Sequence, residues 1–511
     1  MISAEAVTKI PQDASFDLIT EPWIPVLYEL GHEAGATRVG LRQLFEDAAE
    51  IRDLALPPLQ RIAVMRLLIC ITQAALEGPE DDEDWLACRE RIQPAVATYL
   101  QKWQDRFNLF GPYPFLQVAK LEPASGKSEG DLPSLDKLNF AWAAGNAHTL
   151  FDHGALSGKR EISLPQLAVY VLTFQCFHPG GLLSDAYWDG EPISRSTTQA
   201  PCVEGSALLG ILLGENLLET IHLNLIPKQR LISPEGETSA SFGRPVWEFA
   251  TPPKASSAEA EKVIRSYLGR LVPLSRALRL LPGTDRCLIT KGLDYPRLPI
   301  SREPMATVVP AKKGLSYLRI SADRHPWREL HSVLVLGTVD KPGGPLCLHN
   351  IRRLYHDKPQ VVVDLWVGGM EVDQAKLAKL IDSREWLFSF TPRLLETNNL
   401  AVYQQGVSLA LNCESSLRSA VQHYCKVMQL ETRGYTARAV GMYWSMLDNF
   451  YPELIRVAEE AGRLDSWEKR LLHCALEAYH YACPAETPRQ MHAFVMGRRT
   501  LFRSSRRGVI A

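Results

Sequence analysis

The sequence predicts an α+β protein: a large mixed N-terminal domain over residues 1–392, followed by a C-terminal four-helix bundle over 393–511. Three observations carry this reading. Long apolar helical patterns occur early, at 59–76 and 163–177; strand-like runs gather in the middle third; and from about Arg393 the pattern becomes helical with only short breaks. At 511 residues the chain is also longer than one hydrophobic core usually holds, which by itself calls for at least two packed units.

The first helix reads as "LQRIAVMRLLICITQAAL", 59 to 76, closed by Gly78. The acidic run "EGPEDDEDW", 77 to 85, is expected to be a solvated connection to a second helix interrupted near Pro94. In "SLPQLAVYVLTFQCF", Ser163 is a good N-cap and Pro165 suits the first turn; His178-Pro179-Gly180-Gly181 then ends the helix. The stretch 233–260 is rich in Ser, Gly, Pro and Thr and reads as a long surface excursion. Strands are expected at "LSYLRIS" (315–321), "SVLVLG" (332–337) and "QVVVDLWVGG" (360–369). The segments "YQQGVSLALNCESSLRSAVQHYCKVMQL" and "SWEKRLLHCALEAYHYA" supply the long helices of the bundle.

Composition is that of an ordinary globular protein, with 46% hydrophobic and 22% charged residues and a mean hydropathy of −0.11. The 56 Lys+Arg against 58 Asp+Glu leave a net charge of −2, so a nucleic-acid partner would have to be met by a local patch. The ten cysteines are scattered without a C-x-x-C pair, as expected of reduced thiols in a cytoplasmic protein. The first twenty residues lack the apolar core of a signal peptide, and no membrane association is expected. Walker A, dinucleotide-binding, H-E-x-x-H and G-x-S-x-G motifs are all absent, which removes support from ATPases, Rossmann dehydrogenases and the common hydrolases.

Two features leave a metal-dependent hydrolase open. His356-Asp357 could ligate a divalent ion, and His473, Glu477 and His480 share one helix face. A polar turn before a strand and an ordinary bundle helix are the favoured explanations of the two. The Gly180-Gly181 pair is likewise open. It lies at a helix C-terminus, where carbonyls rather than amides are unsatisfied, so a phosphate cradle is disfavoured. What remains is a glycine C-cap, or backbone left bare for close approach to something large.

Several separated stretches together resemble one family. "FDLITEPWIPV" (16–26), "PFLQ" (114–117), "LFDHG" (150–154), "HPGGLLS" (178–184), "APCVEGSALLGILLGENLLETIHLNLIP" (200–227), "REPMATVV" (302–309) and "GGMEVDQAKL" (368–377) occur in the order and approximate spacing of the CasA family, the large subunit of the type I-E CRISPR surveillance complex Cascade. The resemblance implies a non-catalytic protein without cofactor or metal. Its implied role is to recognise the protospacer-adjacent motif in duplex DNA, assist strand opening and recruit the system's helicase-nuclease. Its implied partners are the guide-RNA ribonucleoprotein, with that complex's backbone and small subunits, and double-stranded target DNA.

Residue by residue, the resemblance makes Gly180 and Gly181 the glycine loop facing the motif's minor groove, where the code is degenerate. Gln374, with Asp373 beside it, becomes the tip of a wedge beneath the motif. Lys291 in "CLITKGLDYP" is the candidate motif-contacting lysine. Phe151, Asp152 and His153 form the loop toward the guide RNA and backbone subunits. Trp23 and Pro25 are read as structural. Arg498, Arg499, Arg503, Arg506 and Arg507 are candidates for DNA phosphate contact, against the simpler reading of a solvated helix end. A scaffold that has lost motif reading is the third alternative.

Overall fold

The computed structural model describes residues 9–29, 37–139, 161–178, 183, 185–193, 203, 206–232, 241–249, 252–254, 257–298, 300–321, 324–371 and 382–508; the side chains of 382 and 503–508 are outside the description. The chain packs as two units. One comprises 1–322, 336–354 and 363–388; the other comprises 323–335, 355–362 and 389–511.

The first unit is built around the Pro58–Leu76 helix, which packs against the Ile92–Lys102 and Leu164–Phe177 helices. It is long and apolar enough to cross a membrane, but its residues are mostly buried in this core. Its buried polar residues Arg61, Arg66, Thr72 and Gln73 confirm the core role, because each has partners inside the protein. Arg66, fully buried, pairs with Glu303 at 2.5 Å and donates to the carbonyls of Leu271 and Arg270 at 2.7 and 2.6 Å. The Gln73 amide donates to Ile226 O at 2.9 Å and accepts from the Tyr267 hydroxyl at 2.7 Å. A buried charge is tolerated only when paired in this way.

Around the helices lie small antiparallel sheets. Ile24–Tyr28 pairs with both Thr37–Val39 and Ile51–Leu54. Leu121–Pro123, Ala186–Trp188 and Glu191–Ile193 form a second sheet, whose last two strands are joined by Asp189-Gly190, both at positive φ (55° and 79°) as a two-residue hairpin turn demands. The Arg276–Leu280 and Cys287–Lys291 strands form a hairpin, as do Val308–Ala311 and Gly314–Tyr317. Leu209–Leu213, Val363–Glu371 and Asp382–Phe390 make a sheet with the Val363–Glu371 strand in the centre.

The second unit contains four long helices, Thr397–Met428, Thr432–Leu447, Asp465–Ala482 and Pro488–Gly508, with the shorter Tyr451–Glu459 helix between the second and third. The Thr397–Met428 helix, about 48 Å long at 1.5 Å per residue, packs against the other four. It approaches the last helix so closely that a Cβ on Gly497 would lie 2.6 Å from Ala420 O and collide with the Tyr479 hydroxyl. The segment 323–335 completes this unit. Trp327 is fully buried there, donates from Nε1 to Asp448 at 2.7 Å, and accepts at its carbonyl from the Tyr403 hydroxyl at 2.8 Å.

Several local expectations are corrected. "SVLVLG" is not a strand. Pro326–Glu329 starts a 3-10 turn that continues as the Leu330–Val333 helix, and a short apolar run carries no periodicity to separate the two states. The strand expected at 315–321 is confined to Gly314–Tyr317, with an isolated bridge at Arg319. The first helix is closed by Glu77 in a left-handed conformation (φ 49°), not by Gly78. The acidic run is ordered structure: Asp81 caps the Asp82–Ala87 helix, Asp82 pairs with Arg230 at 2.6 Å, and Trp85 is fully buried. Pro94 sits in the first turn of Ile92–Lys102, where its missing N–H costs nothing, and does not interrupt the helix. Within 233–260, residues 233–240 lie outside the described residues. The next stretch is packed, with Val246, Trp247 and Phe249 each 6% exposed.

Candidate nucleic-acid interface

The Leu164–Phe177 helix delivers the chain to the glycine pair. Ser163 and Gln166 form a capping box, with Ser163 N donating to Gln166 Oε1 at 3.0 Å and Gln166 N donating to Ser163 Oγ at 3.4 Å. The helix ends at Phe177, because Pro179 disfavours helical backbone at His178. His178 is buried, sets its ring edge-on to Phe174 at 4.3 Å, and accepts at Nδ1 from Arg276 Nε at 3.1 Å. Gly180 and Gly181 themselves lie outside the described residues.

Arg276 opens the Arg276–Leu280 strand, and its partner across the hairpin is Lys291. The residue before the candidate glycine loop and the candidate lysine are therefore linked through Arg276, whose guanidinium bonds to His178, 98 residues away, and whose backbone pairs with Lys291, 15 residues away. Burial pushes the Arg276 guanidinium down to about 10, with nearby Asp294 opposing, so it remains charged at neutral pH. Lys291 is 31% exposed and pairs with Asp294 at 2.7 Å. Neither Arg276 nor its place opposite Lys291 was found from sequence. The alternation in "SRALRL" could have suggested a strand, but strand register is not written in local pattern.

The candidate wedge residues Asp373 and Gln374 also lie outside the described residues. Their frame does not. Val363–Glu371 and Asp382–Phe390 are hydrogen-bonded neighbours, so residues 372–381 connect two adjacent strands. Trp366 Nε1 donates to Glu385 at 2.7 Å across that pair. Gly368 packs where a Cβ would meet the Trp366 ring and Arg384 O. This is the close approach that the double glycine of "GGMEV" permits.

Phe151, Asp152 and His153 lie outside the described residues. Arg498 and Arg499 are exposed on Pro488–Gly508, with Arg498 5.7 Å from the Phe502 ring; the side chains of Arg503, Arg506 and Arg507 are outside the description. Trp23 is structural, as read: it is 1% exposed and its Nε1 donates to Leu18 O at 2.9 Å. Arg302 of "REPM" is also structural, donating to the carbonyls of Lys341, Gly343 and Gly344 at 2.8, 2.8 and 2.5 Å.

His356 and Asp357 are exposed in a turn after Leu348–Leu354. His473, Glu477 and His480 are exposed on the Asp465–Ala482 helix, where the His480 ring meets Phe494 at 5.0 Å. Among the described residues no group of three or more His, Cys, Asp or Glu could hold a metal ion, so neither feature gains the further ligands a hydrolase would need.

The family model for CRISPR-associated protein Cse1 matches residues 17–478. The chain belongs to the Cse1 family. It is 30% identical over 497 residues to the CRISPR-associated protein CasA/Cse1 of Thermus thermophilus, covering 91% of each sequence. The solved Thermus thermophilus CasA (Cse1) matches at 26% identity and a TM-score of 0.73, over 96% of this chain and 99% of that one. Thermobifida fusca Cse1 shares the fold at 21% identity and a TM-score of 0.76, over 96% and 98%. A chain of a CRISPR RNA-guided surveillance complex shares it at 19% identity and a TM-score of 0.71, over 96% and 99%. The Cse1 family match thus reaches into both units, ending at residue 478 within the Asp465–Ala482 helix.

Proposed function

We propose that this chain is the large, non-catalytic subunit of an RNA-guided DNA surveillance complex. In that role it reads the short motif beside the target in duplex DNA, helps part the strands and recruits the helicase-nuclease. The observation that carries this reading is membership of the Cse1 family along nearly the whole chain, joined to a fold shared with a chain of a solved RNA-guided surveillance complex.

In this reading Gly180 and Gly181 offer bare backbone to the minor groove, where readout is largely A·T against G·C and a set of motifs rather than one is accepted. Support comes from the tie at the loop's base, where the Arg276–His178 bond holds helix and hairpin together and Lys291 lies opposite Arg276 in that hairpin. Gln374, with Asp373, enters beneath the motif and offsets the unstacking of a base step, a cost of a few kcal/mol. Adjacent strands on either side of 372–381 favour such a projecting tip. Phe151, Asp152 and His153 meet the guide RNA and backbone subunits, and the arginines at 498–507 meet strand phosphates.

Assembly tests the reading. The chain should co-elute on size exclusion with the guide-RNA ribonucleoprotein of its own system. The complex containing it should retain the helicase-nuclease on target duplex, and the complex lacking it should not. Failure to co-elute would refute it.

A further inference from the structure

The first unit contains a cavity of about 400 Å³, within the size range of small-ligand sites, that the motif-reading role leaves unused. Its wall is aromatic. Tyr113, Trp188, Trp247 and Phe249 line it, the last two from one turn and the others from separate segments, with Arg106 and Lys254 among the polar lining.

The rings are held in place. Trp247 Nε1 donates to the Tyr99 hydroxyl at 2.9 Å, and its ring packs against Phe107 and Phe115 at 5.5 and 6.0 Å. Trp188 ends a strand immediately before the Asp189-Gly190 turn. Arg106 lies 3.8 Å from the centre of the Tyr113 ring, donates to Phe249 O at 3.1 Å and pairs with Asp105 at 3.3 Å. Tyr113 is nonetheless 42% exposed, so this ring is fixed from one side by a guanidinium while remaining open to solvent.

The floor is strained. Leu116 has φ 54°, a left-handed conformation unfavourable for leucine, and two buried glutamines hold it there. Gln175 donates to Leu116 O at 3.0 Å and Arg276 O at 2.8 Å; Gln117 donates to Leu109 O at 2.8 Å and accepts from Leu280 N at 2.8 Å. Over-determined strain of this kind gathers at ligand-holding sites.

The rim charges set the ligand's sign. Lys120 is paired with Asp189 at 3.0 Å and Arg106 with Asp105, while Glu259 lies in the first turn of the Ala258–Arg265 helix, where a carboxylate complements the dipole. Lys254 forms no direct ion pair among the described residues, although its charge, with that of Lys120, helps to lower the Asp189 carboxyl. A planar aromatic ligand bearing a negative group satisfies both the ring-lined interior and a lysine that has no carboxylate in direct contact among the described residues. Stacking on tyrosine and tryptophan beside arginine and lysine is how unpaired nucleotides are held.

We propose that this cavity binds a 5′-phosphorylated nucleotide, its base among Tyr113, Trp188, Trp247 and Phe249 and its phosphate at Lys254. The source is either a free nucleotide or the unpaired end of a strand. The site is assayed on the isolated full chain and stands or falls independently of complex assembly.

The test is equilibrium dialysis with AMP, adenosine and a short 5′-phosphorylated single-stranded RNA, on the wild type and on Tyr113→Ala, Tyr113→Phe and Lys254→Ala, each first checked for an unchanged melting temperature. Saturable binding should weaken about ten-fold in Tyr113→Ala, be restored in Tyr113→Phe, and lose its preference for AMP over adenosine in Lys254→Ala. Binding of AMP but not RNA assigns a free nucleotide; binding of RNA, with or without AMP and with the same variant pattern, assigns a strand end. No saturable binding at millimolar AMP or by the RNA would overturn the proposal, as would binding indifferent to all three variants.

Discussion

Replacing Trp327 should disable the helical unit, although this residue lies far upstream of residue 389, where the unit's main segment begins. Its ring is stacked on Tyr451 at 6.1 Å and 10°, tilted against Trp444 at 5.9 Å, and edge-on to Trp467 at 6.3 Å. Trp327→Ala empties a fully buried site and leaves Asp448 without the indole donor. Truncations of this kind cost about 3–5 kcal/mol, a large part of the roughly 5–15 kcal/mol that holds a domain together. Trp327→Phe keeps most of the ring and removes the bond to a charged acceptor, which costs about 2 kcal/mol. With a urea slope of about 2 kcal/mol/M, the helical unit's midpoint should fall by about 2 M in Trp327→Ala and about 1 M in Trp327→Phe. Urea unfolding followed by far-ultraviolet circular dichroism reads both. A shift below about 0.5 M in Trp327→Ala, on the same slope, would refute the claim that 323–335 is integral to this unit.

Other consequences follow from the same packing. Gly497→Ala puts a Cβ against Ala420 O and the Tyr479 hydroxyl, and should destabilise the helical unit by about 1–3 kcal/mol in the same urea assay. Burial holds the His222, His325, His331 and His349 imidazoles below their ordinary 6.5. The unfolded chain therefore binds more protons than the native one below that value. Their contribution to stability is fully present above pH 6.5 and declines as pH falls below it, so unfolding free energy measured downward from pH 6.5 should decrease, with a shallower slope in His222→Asn. Arg498→Ala with Arg499→Ala should weaken binding of the assembled complex to DNA equally across sequences and reduce the log–log salt slope by about 2. An unchanged slope would remove these two from the phosphate contacts.

What was legible in the sequence was what local chemistry specifies. Ser163, Pro165 and Gln166 mark a helix start by capping alone, and most of the run expected as a strand at 360–369 is one, although the strand starts only at Val363 and Val362 is exposed. The long helices after residue 393 follow from their apolar spacing. Where long-range packing decides, the reading failed. The run around Val333 has strand-like composition but continues the turn begun at Pro326. Trp247 and Phe249 sit in a stretch whose Ser, Gly and Pro content suggests exposure, yet they bury. The Asp189-Gly190 hairpin turn was readable and passed over. As for the site, Lys291 could be named but not its link through Arg276 to His178, since that link depends on strand register and a contact across 98 residues. Gly180, Gly181, Asp373, Gln374 and the 151–153 loop became candidates through the family resemblance; local pattern offered a C-cap and a strand end.

The central claim is that this chain makes an RNA-guided complex sensitive to the motif beside its target. The direct measurement is binding of the reconstituted complex to target duplexes carrying every three-base flanking motif, with the wild-type chain, with Gln374→Ala, and with the chain omitted. The account predicts that a subset of motifs binds well only with the wild-type chain, and that Gln374→Ala weakens binding to that subset. Equal binding of all motifs, with or without the chain, would contradict it.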